Sequence, residues 1–167
     1  IYERHKMQVA IIGYGYVGKY MHQLFPNAKI YDKYIPQYNI ELDKCDIAFI
    51  AVPTPCVNQG ELDCSNVEEA IKNCKSDLIV IRSTTRIVMQ PEYLGETVGH
   101  YYNDVKNRNF IVLGGEPADR RAVIECYHQA YSANITIRQV SRLEAEVIKL
   151  AENRAAFYKI MQCQELY

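Results

Sequence analysis

No stretch of this chain is apolar for long enough to cross a bilayer. The longest run, residues 47–55, is less than half of the roughly 20 residues that a spanning helix needs, so no membrane partner is expected. The first six residues are polar and hold no apolar core of a secretory signal. Charge of one sign is also missing. Nineteen Lys and Arg stand against 20 Asp and Glu, a formal net charge of -1, which leaves no field to gather nucleic acid or an anionic surface. The six cysteines, Cys45, Cys56, Cys64, Cys74, Cys126 and Cys163, show no CxxC spacing and no paired His-Cys cluster. That argues against a disulfide framework and against a metal site, and for reduced thiols in a cytoplasmic protein. Tryptophan is absent, which excludes nothing. There is no internal repeat and no low-complexity segment.

What is present is an alternation of short apolar runs with helical patterns, the signature of βαβ units and a parallel sheet. The pattern predicts strands at 7–12, 28–32, 45–52 and 78–82, with further ones at 86–89, 110–113 and 135–140. Helices are expected over 16–25, stopped by Pro26-Asn27, from Asp63, Ser65 or Asn66 as cap to about Lys75, and from Pro117 through Tyr131. From Ser141 onward Leu143, Val147, Leu150, Ala151, Tyr158 and Met161 recur at helical spacing without Gly or Pro. Ser141 followed by Glu144 forms a capping box that starts this helix. Running to 167, it would be about 27 residues and roughly 40 Å long, a length that suits a connector or an interface. The expected organisation is a dinucleotide-type domain over 1–140 and a connector or dimerisation helix over 141–167.

One motif carries chemistry by itself. Gly13-Tyr14-Gly15-Tyr16-Val17-Gly18 is a GxGxxG that follows a strand and opens a helix. Gly13 permits the tight turn, Gly15 lets a pyrophosphate approach the backbone, and Gly18 lets helix and strand pack closely. The helix N-terminus, beginning at Tyr16 and Val17, then presents free N–H groups and a positive dipole end. Asp32 ends the next strand 19 residues after Gly13, where a carboxylate can accept bonds from ribose hydroxyls and repel a 2′-phosphate. The alternative for Asp32 is a solvated acid at a strand end. These features predict an α/β, Rossmann-like, doubly wound and mostly parallel sheet with a long C-terminal helix. The cofactor expected is NAD rather than NADP, with neighbouring Lys33 the one feature pulling the other way.

Five stretches together resemble the UDP-glucose and GDP-mannose 6-dehydrogenase family, in the family's order and over nearly the whole chain. They are the glycine turn with the Val9–Ile12 run before it; Ala51-Val52-Pro53-Thr54-Pro55 with Gly60-Glu61-Leu62-Asp63; Arg82-Ser83-Thr84; Pro91-Glu92-Tyr93-Leu94-Gly95-Glu96; and the run from Ala145 to Asn153. The resemblance implies that Val52, Pro53 and Thr54 lie beside the cofactor, and that Thr84 lies near the nicotinamide and the reacting water. Glu92 and Glu96 match the two glutamates of the family's Pro-Glu-Phe-Leu-x-Glu stretch, the second near the hydride-transfer centre. Lys149 and Asn153, four apart on one helix face, match a lysine and an amide that hold the substrate hydroxyl and stabilise an alkoxide. Plainer readings stand beside these: a capping hydroxyl for Thr84, exposed acids for the glutamates, and a Glu146–Lys149 pair on a solvated helix. The segment between Thr85 and Pro91 is shorter than in typical members, and the family's Asp-x-x-x-Pro-x-Arg pattern does not follow Glu96.

The family oxidises an alcohol twice, the second time through a thioester on a cysteine in a glycine-rich segment that has no counterpart here. The functional expectation is therefore the NAD-binding domain of a nucleotide-sugar dehydrogenase, incomplete for the second oxidation and without the substrate domain. Its expected partners are a nucleotide-sugar substrate and a second copy of the chain, paired through the C-terminal helix. Two alternatives stay open: a compact one-step dehydrogenase of the hydroxyacid type, and a non-catalytic NAD-binding or assembly module.

Overall fold

The computed structural model describes residues 6–57, 62–82, 88–91, 93–94, 99–131 and 135–166. Their elements run in the order β1 (Val9–Ile12), α1 (Tyr16–Leu24), β2 (Lys29–Tyr31), β3 (Ile47–Ile50), α2 (Ser65–Asn73), β4 (Leu78–Ile81), β5 (Val88–Met89), β6 (Phe110–Gly114), α3 (Pro117–Ala130), β7 (Thr136–Val140) and α4 (Arg142–Glu165). One seven-stranded sheet takes the order β2-β1-β3-β4-β5-β6-β7. Every neighbouring pair is parallel except β5 with β6.

The central strands read as unbroken apolar runs because helices cover both of their faces. All four residues of β1 and all four of β3 are buried. Alternate side chains serve two cores. Ile11, Phe49, Val80 and Leu113 pack with Tyr20, Met21 and Leu24 of α1 and with Val123 and Tyr127 of α3. Ala10, Ile12, Ala48 and Ile50 face the other way, onto Val67 of α2. A fully buried Ile or Phe contributes on the order of 1.5–3 kcal/mol, so these two central strands anchor the fold. Phe49 adds specific ring packing, with Phe25 stacked on it at 5.4 Å and Tyr127 edge-on at 5.7 Å.

The reversal at β5–β6 decides where later residues go. Antiparallel neighbours need no crossover, and two short 3₁₀ turns, Tyr101–Asn103 and Val105–Asn107, precede β6. Strand β6 runs against β1–β5 and ends with Gly114 paired to Met89, level with the carboxyl ends of β4 and β5; α3 then leads to β7, parallel to β6, and α4 follows. Its first turn is seated by Ala145 against Met89 and Val112. The capping box at its start is formed as expected: Ser141 Oγ accepts from the Glu144 N–H at 3.2 Å, and the Ser141 N–H donates to Glu144 Oε2 at 2.7 Å. From Leu150 on, the described residues of α4 are exposed.

The expected elements are all present, with ends that differ by a residue or two. One start is different in kind. Helix α2 is capped by Cys64, which makes no side-chain bond, and not by Asp63, Ser65 or Asn66. Asp63 still accepts from the Ser65 N–H at 2.9 Å. Asn66 turns outward from the helix start and donates to the Pro53 carbonyl at 3.2 Å, so a residue suited to capping instead holds the proline loop.

A methyl added at Gly114 would lie 2.5 Å from the Ala145 Cβ and 2.8 Å from the Ser141 carbonyl oxygen. Gly114→Ala is therefore expected to lift α4 from the sheet and to cost about 1–3 kcal/mol, the range for overpacked sites. Thermal unfolding followed by circular dichroism checks this; an unchanged midpoint would mean that α4 is not seated there.

Candidate functional site

Strand β1 leads to β2 on one side, and the chain then returns to place β3 on the other. The two turns leaving β1 and β3 therefore diverge at one point of the sheet edge, which is where a doubly wound fold opens its crevice. The backbone is packed tightly there. Gly13 has φ +93°, and a Cβ on it would stand 2.8 Å from the Ala51 carbonyl oxygen; a Cβ on Gly18 would stand 2.0 Å from the Gly13 carbonyl oxygen. Gly15 differs: nothing lies within 4 Å of the position its Cβ would take. Two glycines thus close the turn and the middle one leaves it open on the outside. Gly15 is also the N-cap of α1, makes no side-chain cap, and is followed by a first turn without an acid. The helix end keeps its positive character for a ligand.

Asp32 lies beside this turn. Its carboxylate accepts from the Tyr14 N–H at 2.7 Å and from the Tyr34 N–H at 2.8 Å, so it ties the glycine turn to the end of β2. Each oxygen has a further lone pair for a ribose hydroxyl. The turn is braced from behind, where the Tyr14 hydroxyl meets His22 Nδ1 at 2.7 Å and its ring meets Tyr38 edge-on at 4.8 Å. Tyr16, half exposed, accepts a hydrogen bond from Asn103, which fastens the 99–109 segment to the head of α1. A cavity of about 580 Å³ opens next to Asp32. Gly13, Val52 and Pro53 line one side, Lys33 and Tyr34 another, and Asn66, Glu69 and Ala70 of α2 a third. Thr54 is partly buried at the edge of the same loop. Gly13, Gly15, Tyr16, Val17, Gly18, Asp32, Lys33, Val52, Pro53 and Thr54 are thus gathered at one end of the sheet.

These residues fit a dinucleotide. The outer face of Gly15 is clear for a pyrophosphate, the helix end is uncapped, and a carboxylate stands over a cavity of nucleoside dimensions. Lys33 does not stand ready for a 2′-phosphate, because its Nζ is held by Glu69 Oε2 at 2.7 Å.

The second cluster forms where α4 reaches the crevice end. The Lys149 Nζ lies over the Tyr93 ring at 5.6 Å, and the Arg108 guanidinium lies between Tyr20 at 5.5 Å and Tyr93 at 5.8 Å. Arg82 and Arg108 are both buried. Burial holds the Lys149 ammonium below the usual lysine range; Arg82 and Arg108 push the same way, and Glu152 opposes them. Tyr93 is pushed up to about 12, chiefly by burial, with the Glu152 charge adding and Arg108 opposing. Burial likewise raises Glu152, against Lys149. Glu152, three residues on from Lys149, is thus a carboxylate that acts on it. Asn153 stands one helical turn beyond Lys149 and is exposed. Thr84, Glu92 and Glu96 lie outside the described residues.

Arg108, Tyr93, Glu152 and Glu69 did not figure among the candidate residues. Tyr93 had a signal, since it stands where the resembled stretch has Phe. Glu152 sits three residues from Lys149, within helical reach. Lys33 and Glu69 are 36 apart, and no local pattern joins them.

Residues 27–87 match the UDP-glucose/GDP-mannose dehydrogenase family, NAD binding domain. No curated protein matches in sequence. Among solved structures, the UDP-N-acetyl-mannosamine dehydrogenase of Staphylococcus aureus superposes with TM-score 0.75 at 18% identity, over 95% of this chain and 53% of its own. The GDP-mannose dehydrogenase of Pseudomonas aeruginosa gives 0.72 at 18%, over 95% and 52%. The UDP-glucose dehydrogenase of Pyrobaculum islandicum gives 0.71 at 19%, over 92% and 50%. At such identities the likeness concerns the fold, and this chain spans about half the length of each. The family resemblance read from the sequence stands, and so does the doubly wound, mostly parallel fold with its long last helix.

The glycines of the turn separate into two kinds, and substitution should show it. Gly13→Ala is expected to lower stability by about 1–3 kcal/mol, through a backbone clash and a positive φ, whereas Gly15→Ala should cost no more than about 1 kcal/mol, the loss of a glycine N-cap. Equal losses in the two variants would contradict this division.

Proposed function

We propose that this chain is the NAD-binding half of a nucleotide-sugar 6-dehydrogenase, which oxidises a sugar CH–OH group with NAD as hydride acceptor. The observation that carries the reading is the open turn at Gly15, set on an uncapped helix end beside the Asp32 carboxylate. The family match over residues 27–87 supplies the substrate class.

When bound, NAD takes up the hydride; the chain's own groups place it and manage charge. Free N–H groups at the head of α1 receive the pyrophosphate. Asp32 accepts from the adenosine ribose while still holding Tyr14 and Tyr34. Val52, Pro53 and Thr54 would hold the nicotinamide half, and Thr84 keeps the role that the resemblance implies. Lys149, half-buried at the crevice end, holds the substrate hydroxyl and stabilises developing negative charge on its oxygen. Asn153 assists from the next turn, and Glu92 and Glu96 keep the roles that the resemblance implies. A second oxidation would need a thiol from outside these 167 residues. Cys56, the cysteine nearest the proline loop, is exposed and points its thiol at its neighbour's carbonyl, that of Val57.

The chain also pairs with a second copy through α4. Its apolar side chains lie on more than one side, with Val147, Leu150, Phe157, Tyr158 and Ile160 each half exposed or more, and a helix of that kind needs more than one packing surface. A two-fold axis is the commonest way to supply it. No described helix is long and apolar enough to cross a membrane, and the free cysteines fit a reducing, cytoplasmic setting.

Calorimetric titration tests the cofactor assignment. NAD is expected to bind and Gly15→Ala to weaken it about tenfold or more, as when one or two hydrogen bonds to a charged group are lost. Unaltered affinity in that variant would place the phosphates elsewhere. Light scattering at tens of micromolar should give a dimer mass that charge substitutions at Phe157 and Ile160 reduce to a monomer; a monomeric parent chain would refute the pairing.

A further inference from the structure

The cavity beside Asp32 has a charge arrangement that the glycine turn does not explain. Lys33 directly follows Asp32, and a cation next to the ribose carboxylate is what accommodates a 2′-phosphate. On α2, across the cavity, Glu69 takes that cation at 2.7 Å. The helix is set in this orientation by Val67, which is fully buried against the sheet, so that Asn66, Glu69 and Ala70 face the cavity. The pair is part of the wall and not remote from it: Asp32, Lys33 and Glu69 all line the same space. Lys75, another cation of that wall, is likewise engaged by a carboxylate, that of Glu41.

We infer that Glu69 is a specificity-determining residue, which excludes a 2′-phosphorylated dinucleotide by withholding Lys33 and adding a second negative charge to the ribose side. The inference rests on the dinucleotide reading of the site and adds to it a residue from a different element. With Asp32 and Glu69 negative and Lys33 positive, the ribose side carries a net charge of -1. A 2′-phosphate would bring about -1.5 to -2 more at pH 7. Without Glu69 the ribose side is neutral and Lys33 can turn to the phosphate. The side chains of Lys33 and Glu69 are 34% and 52% exposed; a pair this open adds little to stability, so the choice of ligand can be altered with the fold intact.

The test is calorimetric titration of NAD and NADP against the full chain and two variants, Glu69→Gln and Glu69→Gln combined with Lys33→Ala. In Glu69→Gln the ratio of NADP to NAD dissociation constants is expected to fall about tenfold, with the NAD constant changed by less than about threefold and the thermal midpoint unmoved. Adding Lys33→Ala should return the ratio to that of the parent, and raised salt should shrink the gain in the single variant. A ratio unmoved by Glu69→Gln, in a chain that binds NAD, would overturn the role of Glu69 alone. A gain that survives Lys33→Ala would also overturn it, by passing the effect to another cation such as Lys72. A parent chain that binds neither cofactor would overturn the functional reading, and this inference with it.

Discussion

Closeness of backbone to backbone at the head of α1 is the constraint on which the rest of the structure depends. The carbonyl of Gly13 and the place a Gly18 side chain would take are 2.0 Å apart, and the Ala51 carbonyl crowds Gly13 from the neighbouring strand. Such contacts are possible only without side chains. They draw β1, α1 and the turn after β3 together, and in doing so they aim the first amides of α1 away from the sheet, past the clear side of Gly15. Asp32 then locks the turn from the end of β2, through the Tyr14 amide. Core packing makes the sheet rigid, but it is this small volume of backbone that gives it a crevice able to take an anion.

A second constraint acts at the far side of the sheet. The antiparallel pairing of Met89 with Gly114 turns β6 and β7 round, so α4 starts level with the carboxyl ends of β4 and β5, seats Ala145 against Gly114, and carries Lys149 one turn further, to Tyr93. The cation arrives beside Tyr93 and near two buried arginines. A lysine in such company gives up its proton more readily than an exposed one. The same route leaves the later turns of α4 with no covering surface from this chain among the described residues.

The sheet, its helices and the glycine turn were legible because each depends on short-range signals: four-residue apolar runs buried on both faces, a GxGxxG at a strand–helix junction, and a Ser-x-x-Glu capping box. Less legible was whatever depends on partners distant in sequence. The direction of β6 shows only in its antiparallel pairing with β5, which no periodicity records. Asn66 reads as a cap but serves the Pro53 carbonyl, because the proline loop comes within its reach only in the folded chain. Lys33 reads as a cation next to the ribose acid, and its meaning changes once Glu69 is placed opposite it. Arg108 shows the same limit: a single arginine before an apolar strand gives no hint that two tyrosines from separate segments enclose it.

The central claim is that a dinucleotide lies across the turns leaving β1, β2 and β3, and amide chemical shifts of the ¹⁵N-labelled chain report on that most directly. On addition of NAD, the amides of residues 14–18, 32–34 and 52–54 should shift together along one saturating titration, while those of the far edge strand β7 and the start of α4, at 136–144, stay in place. Shifts confined to α4, or a spectrum that NAD leaves unchanged, would contradict the account.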